Sequence, residues 1–368
     1  MEHEFDKIPI PKLVLKLGLP AMCAQFFNIL YSIVDRAFVG HIAGHGEIAL
    51  ASIGICAPVL TAITAFSSLI GIGGASVMSI SIGKKDYKNA KLAINQAFFI
   101  YVLHMDIQGA ACASVLAQFC VLFYVFRFLF SEKTYLPLER TKHLTFHFNV
   151  IRKILTIGSL PFFIMLFDNL LIISLNFVLR KYGGEVMGDQ YISCAAVVQS
   201  FMILVFYPAQ GITSGCGTLY SYHYGAGHYD KIVQIFRYVF FLCASYMLIL
   251  CITVQFVPEM FVQIFVKEKR LMILSVSCIR KYTLGLLGVA VQYAIIDGLT
   301  TMGQIRSALP ISFFRKILYM ICVFLIPLTG SRENIFYSET ISDLIGASVT
   351  IIVFIAKILP ELRDKPKP

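Results

Sequence analysis

The stretch IALASIGICAPVLTAITAFSSLIGIGGASVMSISIG, from Ile48 to Gly83, runs for 36 residues without a charged side chain. A helix crosses the hydrocarbon core of a bilayer with about 20 residues, and a helix on a soluble protein would show a polar face over such a length. The run therefore reads as membrane-embedded. A second uncharged run, residues 191–222, is 32 residues long and supports the same reading. Composition agrees: 58% of the chain is hydrophobic and 14% charged, against about 25% charged in soluble domains. Mean hydropathy is +0.77. The apolar runs are continuous and do not alternate, which excludes barrel strands. The expected fold class is an all-α polytopic membrane protein.

The end of the opening run leads to a repeat. Gly83 and Tyr87 are matched by Gly225 and Tyr229, and Gly46-Glu47 by Gly188-Asp189, all 142 residues apart. Pro20 and Pro161 stand 141 apart. Asp106, Gly109 and Ala110 are then matched by Asp343, Gly346 and Ala347 at a spacing of 237, so the offset grows by 95 residues between Tyr87 and Asp106. A parallel repeat in an apolar chain is a transporter signature. It predicts two pseudo-symmetric helical bundles, the first short by about two helices.

Ten apolar segments are expected, at 13–39, 48–82, 90–104, 107–130, 154–179, 191–222, 236–257, 282–302, 311–328 and 341–358. They divide into a first bundle of about four helices (residues 1–130, shortened near 103–106), a linker at 131–148, and a second bundle of about six (149–368). An amphipathic stretch at 267–281 is expected in the membrane interface. Placing both termini in the cytoplasm puts more Lys and Arg inside than outside, with Arg315 and Lys316 counted at a cytoplasmic helix mouth and 131–148 as a cytoplasmic linker. Glu2, Glu4 and Asp6 are the wrong charge for a secretory leader, so the first segment is expected to act as a retained anchor.

The net charge of +10 comes mostly from loops and does not imply nucleic acid. The ten cysteines lie singly, with no Cys-x-x-Cys or Cys/His cluster to suggest a metal. His143 and His147 have metal-capable spacing but no third ligand. Neither a Ser/Lys pair, a His-Glu-x-x-His motif nor paired catalytic aspartates occur, so no enzyme, cofactor or catalytic residue is expected.

Several motifs resemble one family. Tyr31-Ser-Ile-Val-Asp35-Arg36-Ala-Phe-Val-Gly40-His41 is similar to the end of the first helix of MATE (multidrug and toxic compound extrusion) transporters. Gly71-Ile-Gly73-Gly74-Ala75-Ser76, with Gly83-Lys84-Lys85-Asp86, resembles their second helix and the loop after it. Gly109 through Ser114 resembles the sixth, Gly188-Asp189 through Gln199, Pro208, Gly211 and Tyr224–Gly227 the eighth, and Phe336 through Glu339 with Asp343 the twelfth. The resemblance is strongest to the bacterial multidrug-export branch. It implies a two-bundle exporter with about 10 transmembrane helices in place of 12, most of helices three to five being absent.

A carboxylate inside a span is costly and marks function by default. Asp35, with Gln25 and Asn28 on the turns before it, is suited to exchange a proton, or to hold Na⁺ where oxygen ligands gather; the alternative is an interfacial acid paired with Arg36. The resemblance assigns Asp35 to cation coupling and places Ser114 near it. Further coupling candidates are Asp168, beside Asn169 and Asn176 on one face, and Asp297, mid-span without an evident partner. Gln199 and Gln210, flanking Pro208, suit a cavity lining. Glu339 matches the family pattern of the cleft, although Glu339 and Asp343 also suit a helix N-terminus. Phe26, Phe27, Phe162, Phe163 and Met202 are candidates for an apolar cleft wall. No metal site is expected.

The function implied by the resemblance is efflux of small organic cations across the bacterial inner membrane, by antiport with H⁺ or Na⁺, by a monomer. Two alternatives stay open: a flippase for lipid-linked precursors, and a truncated membrane protein that does not transport.

Overall fold

A computed structural model describes residues 8–40, 72–84, 148–266, 269–329 and 332–363. Everything described is helical or a short turn. The elements are α1 (Ile10–Gly40), α2 (Ile72–Gly83), α3 (Phe148–Gly184), α4 (Gln190–Gly225), α5 (Tyr229–Phe256), the short α6 (Pro258–Phe265), α7 (Lys269–Thr283), α8 (Leu286–Thr301), α9 (Ile305–Leu325) and α10 (Tyr337–Val353). Among the described residues six helices are long and apolar enough to cross a membrane, or seven if α7 and α8 count as one span. Residues 41–71 and 85–147 lie outside the described residues, and with them most of the expected segment at 48–82, the segments at 90–104 and 107–130, nearly all of the expected linker, and Ser114, His143 and His147.

Glycine sets the turns between spans where the backbone must leave ordinary helical space. At Gly184 φ is 74°, a left-handed conformation that glycine adopts without a Cβ penalty, and the chain folds there between α3 and α4 with Gly183 directly against Gly188. The end of α4 is closed by Gly227, φ 73°, with the His228 amide donating to the His223 carbonyl at 2.9 Å. This is the glycine-terminated helix end in which a late amide satisfies an orphan carbonyl.

The repeat seen in the sequence is a repeat in space. Pro20 and Pro161 lie inside α1 and α3. Gly73 of α2 packs on the backbone of α3 at Ile154 and Gly158, and its counterpart Gly215 of α4 packs on α1 at Leu17 and Ala21. Small residues allow this closeness, the usual means of joining helices where lipid offers no hydrophobic drive.

Two expectations need correction. The amphipathic stretch before segment eight does not stand apart in the interface. It forms α7, whose Ser275, Cys278, Ile279 and Thr283 are buried, and it meets α8 at a bend of 41°. Its basic residues stand at the two ends, Lys269 and Arg270 first and Arg280 and Lys281 last, so the apolar middle is free to pack into the bundle. The ninth segment begins at Ile305, not 311, so Arg315 and Lys316 sit well inside a helix and not at its mouth. Hydropathy alone clips a span at its charges; packing supplies the partners that let it continue.

Candidate functional site

Arg315 and Lys316 are consecutive on α9, and at 3.6 residues per turn they leave the helix about 100° apart. They therefore serve different neighbours. Arg315 faces α10, where Glu339 and Asp343 are four residues apart and share a face. Arg315 Nη1 donates to Glu339 Oε1 at 3.0 Å and to Asp343 Oδ1 at 2.9 Å. The side chain of Asp343 is 1% exposed and that of Glu339 9%. Gly346, one turn beyond Asp343, makes room for the Arg315 stem: a Cβ there would lie 3.1 Å from Arg315 Cβ and 2.5 Å from Gln292 Nε2.

Lys316 faces α3. Its ammonium, 2% exposed, pairs with Asp168 Oδ1 and reaches the Ile164 carbonyl at 3.4 Å. Asp168 itself is about half exposed. The sequence left Asp168 as an acid shared only with Asn169 and Asn176. In the fold its partner is a lysine 148 residues away, and Asn169 donates to the Met165 carbonyl of its own helix at 2.9 Å. Glu339 and Asp343 do not cap α10: no side chain caps its first turn, and both bind Arg315.

Asp297 closes a π-type turn, Tyr293–Asp297, inside α8. Such turns often mark functional positions because they re-aim one side chain. Thr213 of α4 donates to Asp297 Oδ2 at 2.5 Å, so the acid has a partner that the sequence did not reveal. The buried Tyr220 packs its ring on Phe236 at 4.7 Å and beside Gly298, the residue after Asp297.

The remaining candidates are distributed. Gln25, Asn176 and Gln199 are half-buried, while Asn28 and Gln210 are exposed. Asp35 lies on α1, but its side chain is outside the described residues, as is all of Ser114. Phe27 and Phe163 are exposed and Met202 is buried. Asp168 and Glu339 are thus brought into one charged layer through the adjacent Lys316 and Arg315, whereas Asp297 is held separately on Thr213. Arg315, Lys316 and Thr213 were missed as site residues. A Lys/Arg pair inside an apolar segment is a signal for buried partners; a lone threonine carries none.

Two related helical halves joined at glycine crossings, with ionisable side chains held inside the spans, define a polytopic membrane transporter fold. The chain belongs to the MatE family, whose model matches it twice in succession, over residues 20–164 and 165–325. Membership places it among transporters and not enzymes. It is 27% identical over 99 residues to the multidrug export protein MepA of Staphylococcus aureus (strain NCTC 8325 / PS 47), a match covering 27% of this chain and 21% of that protein. A similar match, 29% identical over 83 residues, is to MepA of Staphylococcus haemolyticus (strain JCSC1435), covering 23% of this chain and 18% of that protein. The match thus spans about a fifth of the length of these relatives. In fold the chain is similar to a crystal structure of a MATE protein in complex with MaL6, with a TM-score of 0.87 at 14% identity over 98% of this chain and 99% of that one.

Proposed function

We propose that this protein is a secondary active exporter of small organic cations, working by antiport with H⁺ or Na⁺ across the bacterial plasma membrane, with both termini cytoplasmic. The observation that carries the reading is the membrane-embedded carboxylate Asp297, held on a threonine hydroxyl at 2.5 Å with no cationic side chain bonded to it among the described residues. An acid so placed attracts a cation and can release it when a proton or Na⁺ competes. Asp35 with Ser114 supplies the coupling group of the first bundle, and Asp168 and Asp297 those of the second. Gln25, Asn28, Asn169, Asn176, Gln199, Gln210 and Glu339 contribute polar lining to the cleft. Loading of the coupling ion shifts the balance between inward- and outward-open states through its different affinity for each.

The flippase reading calls for a basic cleft. Arg315 and Lys316 bring positive charge inside the second half, but each is matched by carboxylates, which favours cations over an anionic headgroup. The non-transporting reading draws on the shortened first half. Ethidium transport in proteoliposomes under an imposed pH or Na⁺ gradient tests the proposal. Gradient-driven transport that Asp35→Asn abolishes is the expected result; absence of transport under either gradient in the intact protein would sink it.

A further inference from the structure

Within the charged layer the charges do not balance in pairs. Lys316 and Asp168 neutralise each other. Arg315 faces two carboxylates, Glu339 and Asp343, at 3.0 and 2.9 Å through the same Nη1 atom. If both were ionised, one negative charge would remain uncompensated in a buried site inside a membrane span. That is costly, since neither water nor lipid is there to solvate it.

Two buried polar atoms at this place lack hydrogen-bond partners among the described residues: Asp343 Oδ2 and Gln292 Nε2. Asp343 is fully buried and Gln292 is 4% exposed, resting on Gly346 of the same helix face. The other ionisable groups around Asp343 are Glu339 on its own helix, Arg315, Lys316 and Tyr319 on α9, and Tyr282 on α7. Lys316 is committed to Asp168, and Lys281, next to Tyr282, pairs with Glu333 at 3.1 Å. No second cation therefore remains among these groups to balance the layer.

We propose that Glu339, Asp343 and Arg315 form a proton-binding site in the second half of the molecule, in which the two carboxylates share one exchangeable proton. A proton fits better than Na⁺. A sodium ion at these oxygens would need about six oxygen ligands, by analogy with other hard cations, and would sit a few ångströms from the guanidinium. A proton needs one oxygen, and Asp343 Oδ2 is free of the arginine. Carboxylate pairs that interact this strongly titrate as a unit and not as two acids. The use of this proton in export rests on the antiport proposed above, whereas its presence does not.

The charge count makes an unusual demand on variants. An amide replacing one carboxylate mimics its protonated form and leaves Arg315 with one negative partner. Asp343→Asn and Glu339→Gln should therefore each fold and melt close to the unaltered protein. The double variant strands Arg315 and should lose most folded material, as should Arg315→Gln. Infrared difference spectroscopy on the purified, substrate-free protein at neutral pH, in water against deuterium oxide, reads the proton directly. An Asp35→Asn/Asp297→Asn background removes the other embedded acids given a coupling role, apart from Asp168, which Lys316 holds ionised. Expected is one exchangeable protonated-carboxyl band that either single amide variant removes. A band absent from the background protein, or present and unchanged by both single variants, would overturn the site. If either single variant fails to fold, the charge count is wrong and the proposal falls as well. A separate arm measures ethidium-driven proton release from the unaltered protein: its absence would count against antiport, with the infrared band still deciding the site.

Discussion

Gly83 and Gly225, matched across the repeat, touch each other. A Cβ built on either would lie 3.0 Å from the other's Cα, and each would run into the backbone of the opposite helix, at Tyr222 and Ile80 respectively. A contact in which residue i meets j and j meets i is what a two-fold axis produces. The internal two-fold of the chain passes between these glycines, and α2 and α4 cross on it.

That crossing has no room for a side chain. Gly225→Val or Gly83→Val should cost about 1–3 kcal/mol by overpacking, since the obstacle is backbone and cannot rotate away. Gly184→Ala makes a useful contrast: nothing stands within 4 Å of its added Cβ, and the penalty is the backbone alone, φ 74° with ψ −174°, about 1–3 kcal/mol. Thermal midpoints of detergent-solubilised protein, followed by size-exclusion fluorescence, should fall for all three. The valine variants alone should also lose monodispersity. Midpoints for Gly225→Val equal to the parent would mean that the helices do not cross there.

The off-axis contacts come as a symmetric pair. A Cβ on Gly73 would meet the Ile154 carbonyl and the Gly158 amide, and a Cβ on Gly215 would lie 2.7 Å from the Leu17 carbonyl and 2.8 Å from Ala21 Cβ. Gly73→Leu and Gly215→Leu should therefore destabilise by similar amounts, and their effects should add to within about 0.5 kcal/mol because the sites share no partner. Strong non-additivity in the double variant would show that the two interfaces form one unit.

The parts of the fold visible in the sequence were those where the backbone itself restricts the residue. Only glycine fits Gly83 and Gly225, so the repeat survived there as an offset of identical residues, whereas the Gly73–Gly215 match was not read from the sequence. The span character of the segments at 154–179 and 191–222 was equally visible, because length and apolarity are summed over many residues. The charged layer was not. Asp168 and Lys316 are 148 residues apart, Arg315 and Asp343 are 28 apart, and no local period links side chains that meet only through packing. Reading Arg315 and Lys316 as a helix mouth followed from treating each charge as solvated, which a buried partner overturns.

The Asp168–Lys316 pair is unequal, and that inequality is measurable. Lys316 is 2% exposed and Asp168 49%. Asp168→Asn leaves a buried ammonium without its counter-ion, and removing one partner of a buried pair costs about 3–5 kcal/mol. Lys316→Met leaves an aspartate that can turn toward its exposed side, so its cost should be well below that of Asp168→Asn. The double variant Asp168→Asn/Lys316→Met should recover most of the stability lost in the single aspartate variant. Denaturation midpoints decide the matter; equal losses in the two single variants would contradict the burial difference.

Thr213 has one hydroxyl proton and two acceptors in reach, Asp297 Oδ2 at 2.5 Å and the Gln210 carbonyl at 3.1 Å. While Asp297 is ionised the proton belongs on the shorter bond, because a carboxylate is the stronger acceptor. Once Asp297 is protonated it can donate to the hydroxyl oxygen, and Thr213 can then turn its own proton to Gln210. One rotating hydroxyl thus satisfies Asp297 in both states without moving α4 or α8. Thr213→Val removes this device and should slow proton-driven ethidium exchange at least tenfold, about 1.4 kcal/mol in the barrier. Thr213→Ser keeps the hydroxyl and should retain exchange. In an Asp297→Asn background, Thr213→Val should add nothing further, since the amide has no proton to trade. A further drop in that background would show that Thr213 acts on something other than Asp297.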